Sequence, residues 1–577
     1  MKNQQGRITC SLAGYQEEIA AAEIQFNEQQ VLKRIWQRDF RVWSEAPDEI
    51  SNRLGWLESP QSSAAQAAEI IDFAAAIKED GYTNALLLGM GGSSLAAEVF
   101  SRAFGAQPGS LQLEVLDSTH PGAVLACAEK LDPKITLYIV ATKSGGTVET
   151  FSLMKFFYNQ TLAKVGKERA GRHFIAITDP GSGLERTARE LNFRKIFLND
   201  PNIGGRYSAL SLFGIVPAAL LGIDIRLLLN RAAAMARDCQ ASDLPGIGVN
   251  APGQLGLIMG QMALAGRNKL TFITPGRLAG FADWLEQLIA ESTGKTGQGI
   301  LPVVGEKVLR PIDYARDRLF VYLHLQGDTA QASNVNALRR AGHPVVEISC
   351  RDVYDLGGEF FRWEMATVIA CWRMGVQPFN QPDVEAAKIL ARKMLAGGPR
   401  AGKQPLPTAK FKTGEIEVYA EANVGNFADL FSVYLGHNVL DFQNKGNDYI
   451  AIQAYVRPAE KARQALDEFR STLQQKFKTA VTVGFGPRFL HSTGQLHKGD
   501  AGRGLFIQVL SQLHEDAPIP DQAGSNQSAI TFGALITAQA CGDRQALLEN
   551  NRRVITLQLT GDEKTAFATL AQLLENK

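Results

Sequence analysis

The sequence predicts an α/β protein: two doubly wound parallel-sheet units followed by an additional C-terminal α/β (or α+β) unit. Three observations carry that expectation. Short β-rich runs at Ala85–Met90, Leu111–Leu116, Ile135–Ala141, Phe174–Thr178 and Lys195–Leu198 alternate with Ala- and Glu-rich stretches of helical period. Such alternation marks βαβ units on a parallel sheet. A second series follows, with candidate strands at Lys269–Ile273, Leu319–Leu325 and Val345–Ile348. The length, 577 residues, corresponds at roughly 150 residues per domain to about three or four domains.

The elements before and after these series complete the division. Apolar residues recur at three- and four-residue spacing from Ile19 to Trp43, so residues 1–60 read as an N-terminal helical segment. Residues 61–240 form the first sheet unit and 241–400 the second. The Gly- and Pro-rich run Leu395–Pro407 is the best linker candidate. Beyond it, Tyr449–Tyr455, Ala480–Val483, Leu505–Leu510 and Val554–Leu559 read as strands and Ala459–Lys476 as an amphipathic helix, giving a C-terminal unit over 401–577.

Composition narrows the function. Hydrophobic residues make up 45% and charged residues 21%, which is ordinary globular usage. Lys plus Arg number 60 against 59 Asp plus Glu, a net charge of +1. That balance argues against a nucleic-acid or membrane-surface partner, so any anion site must be local. The six cysteines show neither CxxC pairs nor metal-ligand spacing, and no metal or cofactor is expected. The N-terminus lacks the apolar core of a signal peptide, and the most apolar stretch, Leu210 to Ile225, is too short and too interrupted to span a bilayer. A cytoplasmic location is expected.

Two loops carry the chemistry. The first follows Ala85–Met90 and reads Gly89-Met90-Gly91-Gly92-Ser93-Ser94 before a helix; its glycines let backbone approach an anion, and Gly92 and Ser93 would line it. The second follows Ile135–Ala141 and reads Thr142-Lys143-Ser144-Gly145-Gly146-Thr147-Val148-Glu149-Thr150. A helix start needs one capping hydroxyl. Four hydroxyls with a lysine argue for a phosphate held by Thr142, Lys143, Ser144 and Thr147. No GxxxxGK[ST] pattern is present, so the ligand is read as a phosphorylated small molecule rather than a nucleotide.

The second loop resembles the S-K-[ST]-x-x-T-x-E-T signature of sugar isomerase (SIS) domains, with Thr142 at its first position. Gly204-Gly205-Arg206-Tyr207-Ser208 is similar to the G-G-R-[FY]-S segment of the phosphoglucose isomerase family. Gln287 to Lys295 (QLIAESTGK) is similar to its Q-x-x-x-E-S-x-G-K signature. Pro378 to Lys388 (PFNQPDVEAAK) resembles its F-D-Q-x-x-V-E-x-x-K motif, with Asn380 in place of the aspartate. These segments run in family order. The resemblance implies two SIS-type units and an aldose–ketose isomerase acting on glucose 6-phosphate and fructose 6-phosphate.

Such isomerisation needs one base near both C1 and C2, a route to open the sugar ring, and a cation facing the developing oxyanion. Glu291 ends an apolar helical stretch, with Gln287 one turn earlier on the same face; it is the expected enediol base. The resemblance assigns enediolate stabilisation to Arg206, ring opening to Lys388 and substrate contact to Gln381. The family's ring-opening histidine should lie between the glutamate and the lysine, where this chain offers only His324 and His343. The matching run is instead Leu490-His491-Ser492-Thr493-Gly494-Gln495, so the histidine role is read onto His491, with His497 as its substitute.

That motif order is similar to the isomerase half of transaldolase/phosphoglucose isomerase fusion proteins, so the chain is read as a stand-alone version or one half of a longer product, with transaldolase as its fusion or associated partner. In the family that the chain resembles, the histidine often comes from a neighbouring subunit. This chain is therefore read as a homodimer of that kind or as a chain supplying His491 in cis. Two alternatives stay open: a dual phosphoglucose/phosphomannose isomerase, and a non-catalytic sugar-phosphate-binding protein.

Overall fold

The structure is a computed structural model that describes residues 7–240, 251–384, 390, 409–422, 424–435, 448–561 and 563–572. It is mixed α/β with three largely parallel sheets. The first has five parallel strands in the order Gln112–Leu116, Asn84–Gly89, Thr136–Ala141, Phe174–Thr178 and Lys195–Leu198. All six residues of Thr136–Ala141 are buried, as expected for a strand covered on both faces by helices. The chain leaves Asn84–Gly89 toward one edge and returns to pair Thr136–Ala141 on the other side. This reversal of strand order opens a crevice at the carboxyl ends of those two strands, where open α/β sheets bind ligands. Both glycine-rich loops start there.

The second sheet runs Arg7–Ser11, Val345–Cys350, Arg318–Leu325, Lys269–Ile273 and Leu301–Val303. Its opening strand is antiparallel to its neighbour and departs from the sequence reading; the segment read as wholly helical adds an edge strand before the helices Gln16–Glu28 and Val31–Trp36. Five residues with a polar partner at every second place carry little apolar signal.

The third sheet, in the C-terminal unit, runs Phe411–Thr413, Ile416–Ala420, Arg553–Leu559, Gly504–Leu510, Tyr449–Tyr455 and Ala480–Phe485. Its last four strands are parallel, and the helix Glu460–Phe477 connects two of them. A separate apolar core of Ile450, Ile452, Leu466, Phe469, Ile507 and Leu557 holds it together. The linker candidate Leu395–Pro407 lies outside the described residues.

The C-terminal unit docks on the helix Phe281–Thr293 through backbone. A Cβ on Gly294 would sit 2.4 Å from Leu496 Cα and 2.5 Å from Leu496 Cβ, on the short helix Gly494–Gly499. Only hydrogen fits there. Gly294→Ala should therefore cost about 1–3 kcal/mol through the forced separation of the two segments, read as a lowered denaturation midpoint; an unchanged midpoint would contradict the contact.

Candidate active site

The crevice deepens into a cavity of about 640 Å³ that draws its walls from all three units. Gly92, Ser93, Thr142, Lys143, Ser144 and Thr147 line it from the first, Gln287, Glu291 and Gln381 from the second, and His491 from the C-terminal unit. Arg206 lines it too. Lys388 lies outside the described residues.

The anion loops are shaped by close approach. Gly91 adopts φ +53°, and a Cβ there would meet Gln287 Nε2 and the His491 carbonyl oxygen, each at 2.8 Å. A Cβ on Gly92 would fall 2.0 Å from the Gly205 carbonyl oxygen. The first loop is thus clamped between the Arg206 turn and the His491 turn. In the second loop the Thr142 and Thr147 hydroxyls bond each other at 2.9 Å, and Thr147 precedes the helix Val148–Val165. Its N-terminal N–H groups and dipole favour an anion. Lys143 Nζ is already engaged, ion-paired with Asp179 and donating to the Pro201 carbonyl at 2.8 Å. Burial pushes the Asp179 carboxyl above its ordinary value, with Lys143 pulling the other way.

Glu291 is 5% exposed. Gln287, one turn back on the helix Phe281–Thr293, donates to its Oε2 at 3.2 Å, and Arg206 Nη1 stands 3.3 Å from the same oxygen. Both contacts fall on Oε2, which leaves Oε1 for a bound molecule. Arg206 spends its remaining donors on Ser292 Oγ (2.9 Å), Gln381 Oε1 (3.1 Å) and the carbonyls of Pro378 (2.5 Å) and Asn380 (3.2 Å). One planar fork therefore fixes the carboxylate and the segment bearing Gln381 together. Gln495 adds a second tie, donating to the Gly294 carbonyl at 3.0 Å and accepting from the Asp383 N–H at 2.9 Å.

His491 Nε2 lies 3.0 Å from Glu149 Oε1. That contact holds the imidazole ring in one orientation. The same Glu149 oxygen accepts from Gln539 Nε2 at 2.7 Å, and Gln539 Oε1 accepts from Thr119 Oγ1 at 2.7 Å. Glu149 stands within the second loop, yet sequence reasoning gives it no role; the loop motif held the signal. Gln539, on the helix Phe532–Glu549, had none. Arg53, Glu49 and Asp179 also line the cavity and escape the sequence reading.

Two of the other histidines weighed for that role lie elsewhere. His497 is buried at 2% exposure between Tyr449, Phe489 and Phe506, and burial holds it well below its ordinary pKa. His324 pairs with Glu347 at 3.1 Å on the second sheet. Among the described residues no group of three or more His, Cys, Asp or Glu side chains could hold a metal ion, and no helix is long and apolar enough to cross a membrane.

A switch-point crevice with two hydroxyl-rich turns, a buried carboxylate and an oriented histidine has the parts that acid–base chemistry on a small phosphorylated molecule requires. Comparison with known proteins agrees with that class. Residues 74–300 match the family described as phosphoglucose isomerase. The chain is 26% identical over 388 residues to the probable glucose-6-phosphate isomerase of Methanococcus maripaludis, spanning 60% of this chain and 86% of that one. It is 28% identical over 393 residues to a glucose-6-phosphate isomerase of Thermus thermophilus (60% and 92%). To that of Carboxydothermus hydrogenoformans it is 32% identical over 287 residues (48% and 61%). Two solved structures share the fold. One is a hypothetical protein of Thermus thermophilus (TM-score 0.57, 24% identity, 68% of this chain and 100% of that one). The other is the glucose-6-phosphate isomerase of Chlamydia trachomatis (TM-score 0.55, 18% identity, 67% and 88%).

One neighbour of the site titrates near neutrality. Glu286 Oε1 accepts from the Ser492 hydroxyl at 3.0 Å. Burial, reinforced by the Asp283 carboxylate, pushes its carboxyl from 4.5 up to about 7. A folded pKa above the unfolded one means that the folded state binds the extra proton between these values, so this group makes stability fall as pH rises from about 4.5 to 7. Glu286→Gln keeps the acceptor and removes the titration. The variant should gain on the order of 1–3 kcal/mol relative to the parent between pH 4.5 and 8 in denaturant titrations; a pH-independent difference would contradict it.

Proposed function

We propose that the protein is a glucose-6-phosphate isomerase, interconverting glucose 6-phosphate and fructose 6-phosphate through a cis-enediol. The observation that carries this reading is the Arg206–Glu291 pair in the same cavity as the two anion turns. The family match over residues 74–300 and the isomerase relatives support it.

In this reading the phosphate rests on Ser93, Thr142, Ser144 and Thr147 and on the N-terminus of the following helix, with Lys143 turning from Asp179 toward it. His491, oriented by Glu149, moves a proton between the ring oxygen and the C1 hydroxyl, which opens the ring; Lys388 is assigned to the same step by resemblance. Glu291 then takes the C2 proton into Oε1 and returns it to C1, while the C2 hydroxyl proton passes to the C1 oxygen. Arg206 opposes the charge that develops on the enediolate oxygens, at a buried place where such a charge is stabilised far more than in water. Gln287 and Gln381 position the chain of the open sugar.

Three outcomes test it. In a coupled assay with glucose 6-phosphate, Glu291→Gln should lower kcat by about 10³-fold or more while sugar phosphate still binds, because removing the base leaves binding intact. No turnover by the parent chain would sink the proposal. Glu149→Gln should lower kcat by about 10–100-fold with little change in KM, a positioning effect; an equal loss from Gln539→Ala would be too large for its place one bond further out. Since the described site takes His491 from the same chain, specific activity should stay constant on dilution to monomer. Loss of activity on dissociation would show that the histidine acts in trans.

A further inference from the structure

A second cavity, of about 350 Å³, shares the His491 turn as a wall with the first: Leu490 and His491 line one, Arg488, Phe489 and Ser492 the other. No step of the proposed reaction uses it, and its volume suits a small metabolite. Its sides come from the first sheet unit, from the helix Phe281–Thr293, which supplies Asp283 and Glu286, and from the C-terminal unit, so an occupant would touch all three.

Its charges are unevenly matched. Glu98 serves two guanidiniums, Arg102 at 2.7 Å and Arg488 at 2.5 Å. Arg102 also reaches Asp283 at 2.8 Å, and Arg488 reaches Asp117 at 3.0 Å. Arg463 is different. It lies half-buried on the first turn of the helix Glu460–Phe477, its guanidinium 4.7 Å from the Phe485 ring centroid, and among the described residues no carboxylate is paired with it. Arg457 stands exposed at the rim. Burial, with Arg488 and Arg102 nearby, pulls the Arg463 pKa down, while burial pushes the Asp117 and Asp283 carboxyls up. Four guanidiniums, Arg102, Arg457, Arg463 and Arg488, face four carboxyls, Glu98, Asp117, Asp283 and Glu286. Burial pushes the last three upward, whereas against burial Arg488 and Arg102 hold Glu98 below its ordinary value. A network that merely joined the units would pair its guanidiniums; this one keeps one in reserve.

We propose that this cavity is a second anion site, which takes a phosphate dianion, free or as a small phosphomonoester, between Arg463 and Arg457 of the C-terminal unit and Arg102 of the first. Guanidinium forks match phosphate oxygens in bidentate fashion. Arg488 opens the four-residue turn that ends at His491, and Ser492 bonds Glu286. An occupant is thereby connected to the histidine through a single turn of backbone, which makes the site suited to an effector.

The test is calorimetric and uses the full chain. Glucitol 6-phosphate, a sugar phosphate that cannot isomerise, first saturates the first cavity; inorganic phosphate or glycerol 3-phosphate is then titrated in. The parent should bind a further equivalent of at least one probe. The double variant Arg457→Ala, Arg463→Ala should bind it at least tenfold more weakly, with glucitol 6-phosphate affinity unchanged. Arg463→Gln gives the same reading should the double variant fold poorly. Equal affinities for the two probes assign the site to free phosphate, and tighter glycerol 3-phosphate assigns it to a phosphomonoester. No further binding by the parent, or an unchanged affinity in both variants, overturns the proposal. Turnover is not read, so failure of the isomerase reading leaves this outcome distinct.

Discussion

The site depends on backbone meeting backbone where no side chain fits. Gly92 lies against Gly205, Gly91 against His491, and Gly294 against Leu496. Each pair joins segments from different parts of the chain, and each removes the Cβ that would hold them apart. Through these contacts an anion loop, an arginine turn, the end of a carboxylate-bearing helix and a histidine turn share one cavity. Side-chain hydrogen bonds then refine an arrangement that the glycines permit.

Arg206 organises what the glycines bring together. Its guanidinium is 4% exposed, and a buried charge persists only where its donors are satisfied. Ser292, Gln381, two carbonyls and Glu291 meet that requirement. In the proposed reaction, the group that would face the developing oxyanion is also the one that positions Glu291. On the opposite wall, Thr119, Gln539 and Glu149 form a similar chain ending at His491. Glu291 and His491 are each held by a separate network of residues from one chain.

Much of this is legible in the sequence. Lys269–Ile273 and Tyr449–Tyr455 are read to the residue, because runs rich in β-branched and aromatic residues mark strands. Leu301–Val303 is not, since three residues are too short for periodicity to register, and Arg7–Ser11 is lost within a segment whose helical spacing dominates the reading. Within the site, residues in compact motifs stand out: Arg206, Gln287, Glu291 and the two loops. Gln539 is invisible. It lies 390 residues from its partner Glu149, and no local pattern encodes a contact made only by tertiary docking. Lys143 shows the complementary failure, where a loop motif indicates a phosphate ligand but gives no sign of the Asp179 that holds it.

The central claim is that one carboxylate, Glu291, carries a proton between adjacent carbons of a sugar phosphate. Glucose 6-phosphate deuterated at C2, converted in ordinary water and followed by NMR, tests it most directly. A single base working through an enediol exchanges part of its proton with solvent, so the fructose 6-phosphate formed should carry deuterium at C1 in only a fraction of molecules, and Glu291→Gln should abolish both transfer and exchange. Complete retention of the label at C1 would indicate a hydride shift, and with it the account of Glu291 as the base would fail.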